Sequence, residues 1–526
     1  MTGAAHVAGF TNAIGRRYWV LPIAAALLAA VVFHLSAPQY LRFQGFPLDD
    51  SWIHAVYARE LARSGMLAYN PGVPATGETS PLWAIVLAPL YVAASPPLAI
   101  LLTKVLGFAL HVASALLFGR ALARLTPARP WVAWSGAALV AAHPDLVAAS
   151  VSGMEVPLAT LMIAAALLAV SSGTAALILL AAAAATAARP ETAVVVAAAA
   201  FFFWLPEGVL RACLSAGAAL AGAVASLALV GVRNWGITGR PLPATFYVKA
   251  NTGSPFNSAL QQLGFADLLG HIPLLNVTLA VFALAIVSAV LVRRRDAPRE
   301  AHAAAALFLA GVVFCAVSFA LVPPLDPPAF YHQRYVLPAV APMVAAMPLL
   351  VDAILSQFVR RPVAWVVPVA VMVLGLVLML AVPARAIHLS NDARNIDDVQ
   401  VAFGRALADA PAESNAWVVD AGASRFFGRA FVVDTIGLNT PELIGADAQH
   451  FLDRHPPAYL DVFPGWSALR GDPAIKLPAR VFEATTKYTV TSADSMRTHV
   501  LVTCTPPGYQ GAFVVRGRLW TFRCSS

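Results

Sequence analysis

Apolar runs recur along the first 385 residues, separated by short polar or arginine-rich breaks. A helix rises about 1.5 Å per residue, so a run of about 20 residues crosses about 30 Å of hydrocarbon. Runs at 18–37, 97–119, 131–142, 156–170, 175–188, 192–205, 213–232, 274–292, 303–321, 335–355 and 364–382 predict about eleven spans. Several are short and call for tilted or broken helices. The run 82–94 is left out of the count. It is too short for a crossing, and its Trp83 and Tyr91 suit the headgroup layer, so it reads as an interfacial helix.

The basic residues orient this thread. Arg16 and Arg17 precede the first run, which is long enough to span and is followed at Ala37-Pro38 by a polar segment rather than a cleavage pattern, so it reads as an uncleaved first span. With the N-terminus cytoplasmic, residues 38–96 form an outer loop. Arg120, Arg124 and Arg129, then Arg211, then Arg293, Arg294, Arg295 and Arg299, then Arg360 and Arg361 all fall inside, as the positive-inside rule requires. The expected architecture is mainly α: a polytopic bundle over 1–384 in the cell (inner) membrane, with a small extracytoplasmic α/β domain over 385–526. Strand-like segments at 416–419, 431–433, 458–462 and 513–515 alternate there with Gly, Asp and Pro turns.

Composition agrees. Mean hydropathy is +0.72 and 12% of residues are charged, against about 25% in soluble domains. The net charge of +8 sits in loops and is an orientation signal, not a nucleic-acid footprint. Of four cysteines, Cys213 and Cys315 lie in apolar runs, while Cys504 and Cys524 lie in the tail and can pair if it is exported.

Polar residues concentrate in the first outer loop, 46–83. Asp49 and Asp50 open a helical pattern whose apolar face is Ile53, Val56, Tyr57 and Leu61. One reading makes one of them a helix cap and the other a solvated neighbour. The other makes one the general base that takes the proton from an attacking sugar hydroxyl, as an inverting transferase needs, with its neighbour orienting the acceptor or a divalent cation. Asp50 and His54, one turn apart, are the candidate donors to such a metal, Mg or Mn, although a lone histidine is more often an interface residue. Asn70-Pro71-Gly72 reads as a turn, and Thr79 or Ser80 as the cap of the interfacial helix. Glu155, Arg189, Glu191, Lys249 and Arg334 fall at the outer ends of spans. Cations there need partners: Arg189 can bridge structurally to Glu155 or Glu191, or the cations can stabilise a departing phosphate.

The loop resembles the aspartate-bearing first outer loop of the GT-C glycosyltransferases, particularly the bacterial multispan group that includes mycobacterial terminal arabinofuranosyltransferases. Leu48-Asp49-Asp50, Tyr57-Ala58-Arg59, Asn70-Pro71-Gly72 and Thr79-Ser80-Pro81-Leu82-Trp83 follow that group's order. Ser152-Gly153-Met154-Glu155, Arg189-Pro190-Glu191, Leu242-Pro243 through Lys249, and Arg334-Tyr335 through Pro338 continue it along the membrane part. Departures are His54, Val56, the order Gly77-Glu78, and Thr192 after Arg-Pro-Glu. The resemblance implies a polyprenyl-phosphate-sugar donor and a glycan, lipid or protein acceptor in the cell envelope. It also implies catalysis by Asp49 or Asp50, with Arg189, Lys249, Arg334, Glu155, Glu191, Glu78 and Tyr57 as donor-phosphate or substrate-binding candidates. The competing readings are a transporter or flippase, which would place its charges at mid-span, and a non-catalytic membrane scaffold, which would lose the carboxylates.

Overall fold

The computed structural model describes residues 18–127, 129–250, 284–294, 297–321, 334–358, 366–462, 467–470, 480–485, 498–503, 508–515 and 517–524. Each predicted run coincides with an apolar helix, the run at 274–292 being described only from residue 284. Among the described residues, five helices are long and apolar enough to cross a membrane alone, and the shorter apolar ones run 10–17 residues. The run at 131–142 resolves the length problem by bending: Pro130–Ala142 and Pro144–Ser150 meet at 60°, and together they pass as a sixth span. Pro144 causes the break, because it lacks the amide that would continue the first helix yet suits the first turn of the second. The interfacial run forms a separate helix, Pro81–Ala93. The chain is thus a multi-pass membrane protein.

Small residues let the helices approach closely. A Cβ on Gly107 would lie 2.0 Å from the Ser150 carbonyl oxygen, and one on Gly136 would lie 2.1 Å from that of Ala345. Lys104 is buried near one end of the long helix Pro96–Leu125. Its ammonium donates to the carbonyls of Tyr40 (2.8 Å) and Gln44 (2.9 Å) and lies 3.8 Å from the Tyr40 ring centroid. The start of the first loop is therefore pinned to the bundle by a charge that backbone dipoles and a ring face satisfy.

The helix Val366–Ile396 runs on through a wide turn at Asp397–Val401 into the tail. There β3 (Asn415–Val418) pairs in parallel with β4 (Phe431–Asp434) and with β5 (Tyr459–Val462). β8 (Thr498–Thr503) and β7 (Arg480–Thr485) extend the sheet antiparallel in the order β4-β3-β5-β8-β7. β6 (Ser467–Arg470), β9 (Gln510–Val515) and β10 (Arg518–Arg523) form a second sheet. The α/β tail expected from the turn pattern is present. Cys213 and Cys315 are free, Cys524 is disulfide-bonded, and Cys504 lies outside the described residues.

The ends of β3 and β4 sit on the first loop. That loop folds as the helix Asp49–Ser64 followed by the ribbon β1 (Ala68–Asn70) and β2 (Val73–Pro74). Asn70 bonds the tail backbone reciprocally, its Nδ2 donating to the Val432 carbonyl (2.8 Å) and its Oδ1 accepting the Val432 amide (3.0 Å). Trp52 packs between Phe46, Phe426 and Phe427, with ring centroids 4.9, 5.0 and 5.0 Å away. We predict that Asn70→Ala leaves two buried backbone groups unpaired and lowers stability by about 2–4 kcal/mol. Thermal unfolding in detergent would read this as a fall in Tm.

Candidate active site

Asp49 and Asp50 occupy the first turn of their helix, after Leu48 in extended conformation. Neither caps it. Successive helical residues point about 100° apart, and the two carboxylates serve different partners. Asp49 reaches the tail, its Oδ2 accepting the Gly422 amide at 2.6 Å and its Oδ1 the Ala423 amide at 2.8 Å. Asp50 turns to the bundle, where Arg334 Nη1 meets its Oδ2 at 2.6 Å. Burial and the nearby Asp420 carboxylate push the Asp49 pKa well above the ordinary carboxylate value, while the Ala423 and Gly422 amides pull it down. The Asp50 side chain stays 32% exposed and ion-paired.

Beside them a chain of alternating charges crosses from loop to bundle. Glu78 Oε1 lies 3.0 Å from His54 Nδ1, and Glu155 Oε2 lies 3.1 Å from His54 Nε2. Glu155 also pairs with Arg189 Nη1, and Arg189 Nη2 meets Glu191 at 2.9 Å. Burial opposes the imidazolium, but the Glu78 charge and hydrogen bonds to Glu155 and Glu78 raise His54 from 6.5 to about 10. For Glu155, burial is likewise outweighed, here by Arg189 and His54, which hold it well below the usual carboxylate range. The Tyr335 ring lies between the two arginines, its centroid 5.3 Å from the Arg189 guanidinium and 4.9 Å from that of Arg334. Arg334 Nη2 donates to the Tyr335 hydroxyl at 2.9 Å.

The structure brings Asp50, His54, Glu78, Glu155, Arg189, Glu191 and Arg334 into one connected cluster through Tyr335, and sets Asp49 beside it, facing the tail. Tyr57 has a different place. It is fully buried, accepts the Gly77 amide at 3.1 Å and donates to Asn439 Oδ1 at 3.2 Å, so it docks the loop on the tail. Asn439 is itself fixed by Asp434, which accepts its amide (2.8 Å) and its Nδ2 (3.0 Å). Burial lifts the Asp434 carboxyl to about 6 against those bonds. Lys249 lies on the helix Ala244–Ala250, whose first amide donates to the Thr76 carbonyl at 3.0 Å; its side chain is outside the described residues.

The two candidate metal donors, His54 and Asp50, turn to different partners: His54 lies between Glu78 and Glu155, and Asp50 meets Arg334. Among the described residues no group of three His, Cys, Asp or Glu side chains is arranged to hold an ion. Ser80 stands at the start of its helix without a side-chain cap bond, and Glu78 accepts its backbone amide at 2.7 Å instead. Sequence reasoning gave no role to the Gly422 and Ala423 amides or to the Tyr335 ring. The first leave as their only trace a glycine beyond a strand, and the second is a tyrosine beside an arginine.

Residues 393–510 match a family model described as a domain of unknown function (DUF8728). No curated protein matches the sequence. Among solved structures, ArnT from Cupriavidus metallidurans bound to undecaprenyl phosphate is similar at 14% identity and TM-score 0.53, over 92% of this chain and 97% of that one. Its apo state is similar at 16% identity and TM-score 0.51, with the same coverage. An Archaeoglobus fulgidus oligosaccharyltransferase in the apo form is similar at 11% identity and TM-score 0.49, over 85% of this chain and 69% of that one. At these identities the likeness to ArnT is one of fold, and it runs over nearly the whole of both chains.

The His54 contacts have a pH signature. A raised pKa means the imidazolium stabilises the folded state fully below pH 6.5, and this contribution is lost as pH rises through about 10. We predict that Tm falls over that window and that His54→Gln flattens this dependence. Because that variant takes from buried Glu78 the cation bonded to it and leaves Glu155 to Arg189, it also lowers stability at pH 7 by about 3 kcal/mol.

Proposed function

We propose that this protein is an inverting membrane glycosyltransferase that takes a sugar from a polyprenyl-phosphate donor on the extracytoplasmic face and gives it to a hydroxyl of an envelope glycan, lipid or protein. The observation that carries the reading is that Asp50 meets Arg334, which shares the Tyr335 ring with Arg189, while the adjacent Asp49 is held by two backbone amides. Of the two carboxylates, Asp49 is the base. Its partners are neutral amides and its basicity is raised, whereas Asp50 is paired with a cation. General bases work best when their pKa approaches the working pH.

In the step, the acceptor oxygen bonds to the anomeric carbon as its proton passes to Asp49, and the bond from that carbon to the phosphate oxygen breaks. Its electron pair stays on the polyprenyl phosphate, which leaves with added negative charge. Arg334 and Arg189 stabilise that charge, held in aim by Asp50, Glu155 and Glu191. The undecaprenyl phosphate bound to the similarly folded ArnT supports the donor class. The inward run of arginines supports N-terminus-in, tail-out orientation.

Asp49→Asn is expected to lower transfer by at least about 100-fold while the protein still folds, and Arg334→Ala to raise the KM for donor. Transfer is measured in proteoliposomes, with donor and acceptor chosen from the lipid-linked sugars that accumulate, and the surface glycans that shorten, in a deletion strain. Near-normal rates for both Asp49→Asn and Asp50→Asn would end the transferase reading.

A further inference from the structure

The tail meets the first loop at a point where its backbone touches a carboxylate and nothing bulkier fits. Gly422 and Ala423 follow the end of β3, and their amides take one Asp49 oxygen each, at 2.6 and 2.8 Å. A Cβ on Gly422 would lie 2.1 Å from the Asp49 carbonyl oxygen and 2.8 Å from both carboxylate oxygens. Gly422 has φ −81° and ψ −77°, a conformation open to other residues, so the glycine is required by the close approach and not by backbone strain. The charged and titratable groups around Asp49 are Asp420 from the tail, Asp50 from its own helix, and Tyr69 from the ribbon. Gln400 Nε2 holds Asp420 Oδ2 at 2.7 Å.

We infer that the tail segment Asp420–Ala423 is a positioning element of the active site, its two amides aiming the Asp49 carboxylate from a turn that also carries the Asp420 carboxylate. The tail then belongs to the site through its backbone, as a positioning element. The inference rests on Asp49 acting as the base. Two opposed effects meet in it: the amides favour ionised Asp49, and Asp420 disfavours it. The balance keeps the carboxylate oriented yet basic.

The opposition supplies the test. Transfer rates of the full-length protein in proteoliposomes are followed against pH, and the acidic limb reports Asp49 losing its proton. Gly422→Ala pushes the amides off the carboxylate, so kcat should fall about tenfold or more with donor KM unchanged, and the acidic limb should move to higher pH. Asp420→Asn removes a repelling charge and should move that limb to lower pH. Gly428→Ala crowds the Ser424 carbonyl at the other end of the same short helix, so it serves as a control for tail packing and should leave the limb where it is. Limbs that do not move for Gly422→Ala and Asp420→Asn, or that move the same way for both, overturn the positioning role. If Gly422→Ala does not fold, Asp420→Asn decides alone: a limb that stays put or rises overturns the inference. Full activity in Asp49→Asn sinks the underlying reading instead, which separates the two failures.

Discussion

The site is governed by the cost of taking charge out of water, which only a partner of opposite sign or a set of hydrogen bonds offsets. Glu78, His54, Glu155 and Arg189 are all buried, and each finds the next in line. Loop and bundle are held in register because no member can leave without stranding its neighbour. Glu78 comes from the loop, Glu155 from the turn before the helix Val156–Ser172, and Arg189 from the turn after Ala175–Ala188. The same constraint acts on Lys104, which lies inside a long helix but reaches back to the carbonyls at the loop's start. A transport path would string charges across mid-span, whereas these gather at one end.

Two departures from the resembled loop pattern, His54 and the order Gly77-Glu78, explain each other in the folded chain. Glu78 is the partner of His54 Nδ1. Gly77 occupies the point where a Cβ would lie 2.4 Å from both the Leu438 carbonyl and Asn439 Oδ1. Glycine must stand where the tail presses in, and the acid must stand where the imidazole waits. These substitutions are coupled packing solutions, not losses of the site.

The spans were legible because a 20-residue apolar run has few alternatives in lipid, and the first-loop helix because its carboxylates precede a 3.6-residue apolar period. Four strands of the tail, β3, β4, β5 and β9, were legible from their turns, whereas β6, β7, β8 and β10 were not read. What the sequence hid was long range. Nothing near Asp49 announces that its oxygens belong to residues 422 and 423, and nothing near Tyr57 announces Asn439. Short-range reasoning offered helix capping for one of the two aspartates and an apolar face for Tyr57, since local partners are all that local sequence can propose, and the resemblance offered Tyr57 a substrate contact. Backbone donors carry no side-chain signature at all.

That hidden contact bears on how two adjacent aspartates come to differ. Consecutive positions on a helix cannot share one environment, so Asp49 faces peptide amides while Asp50 faces a guanidinium. Amides orient a carboxylate without cancelling its charge, whereas a guanidinium cancels it. A base and an anchor for a phosphate-binding cation need those two environments, and they need them a few ångströms apart. Placing the pair at the first turn of a helix wedged between tail and bundle supplies both from one dipeptide, which makes the tail's docking as much a condition of the proposed chemistry as the carboxylates themselves.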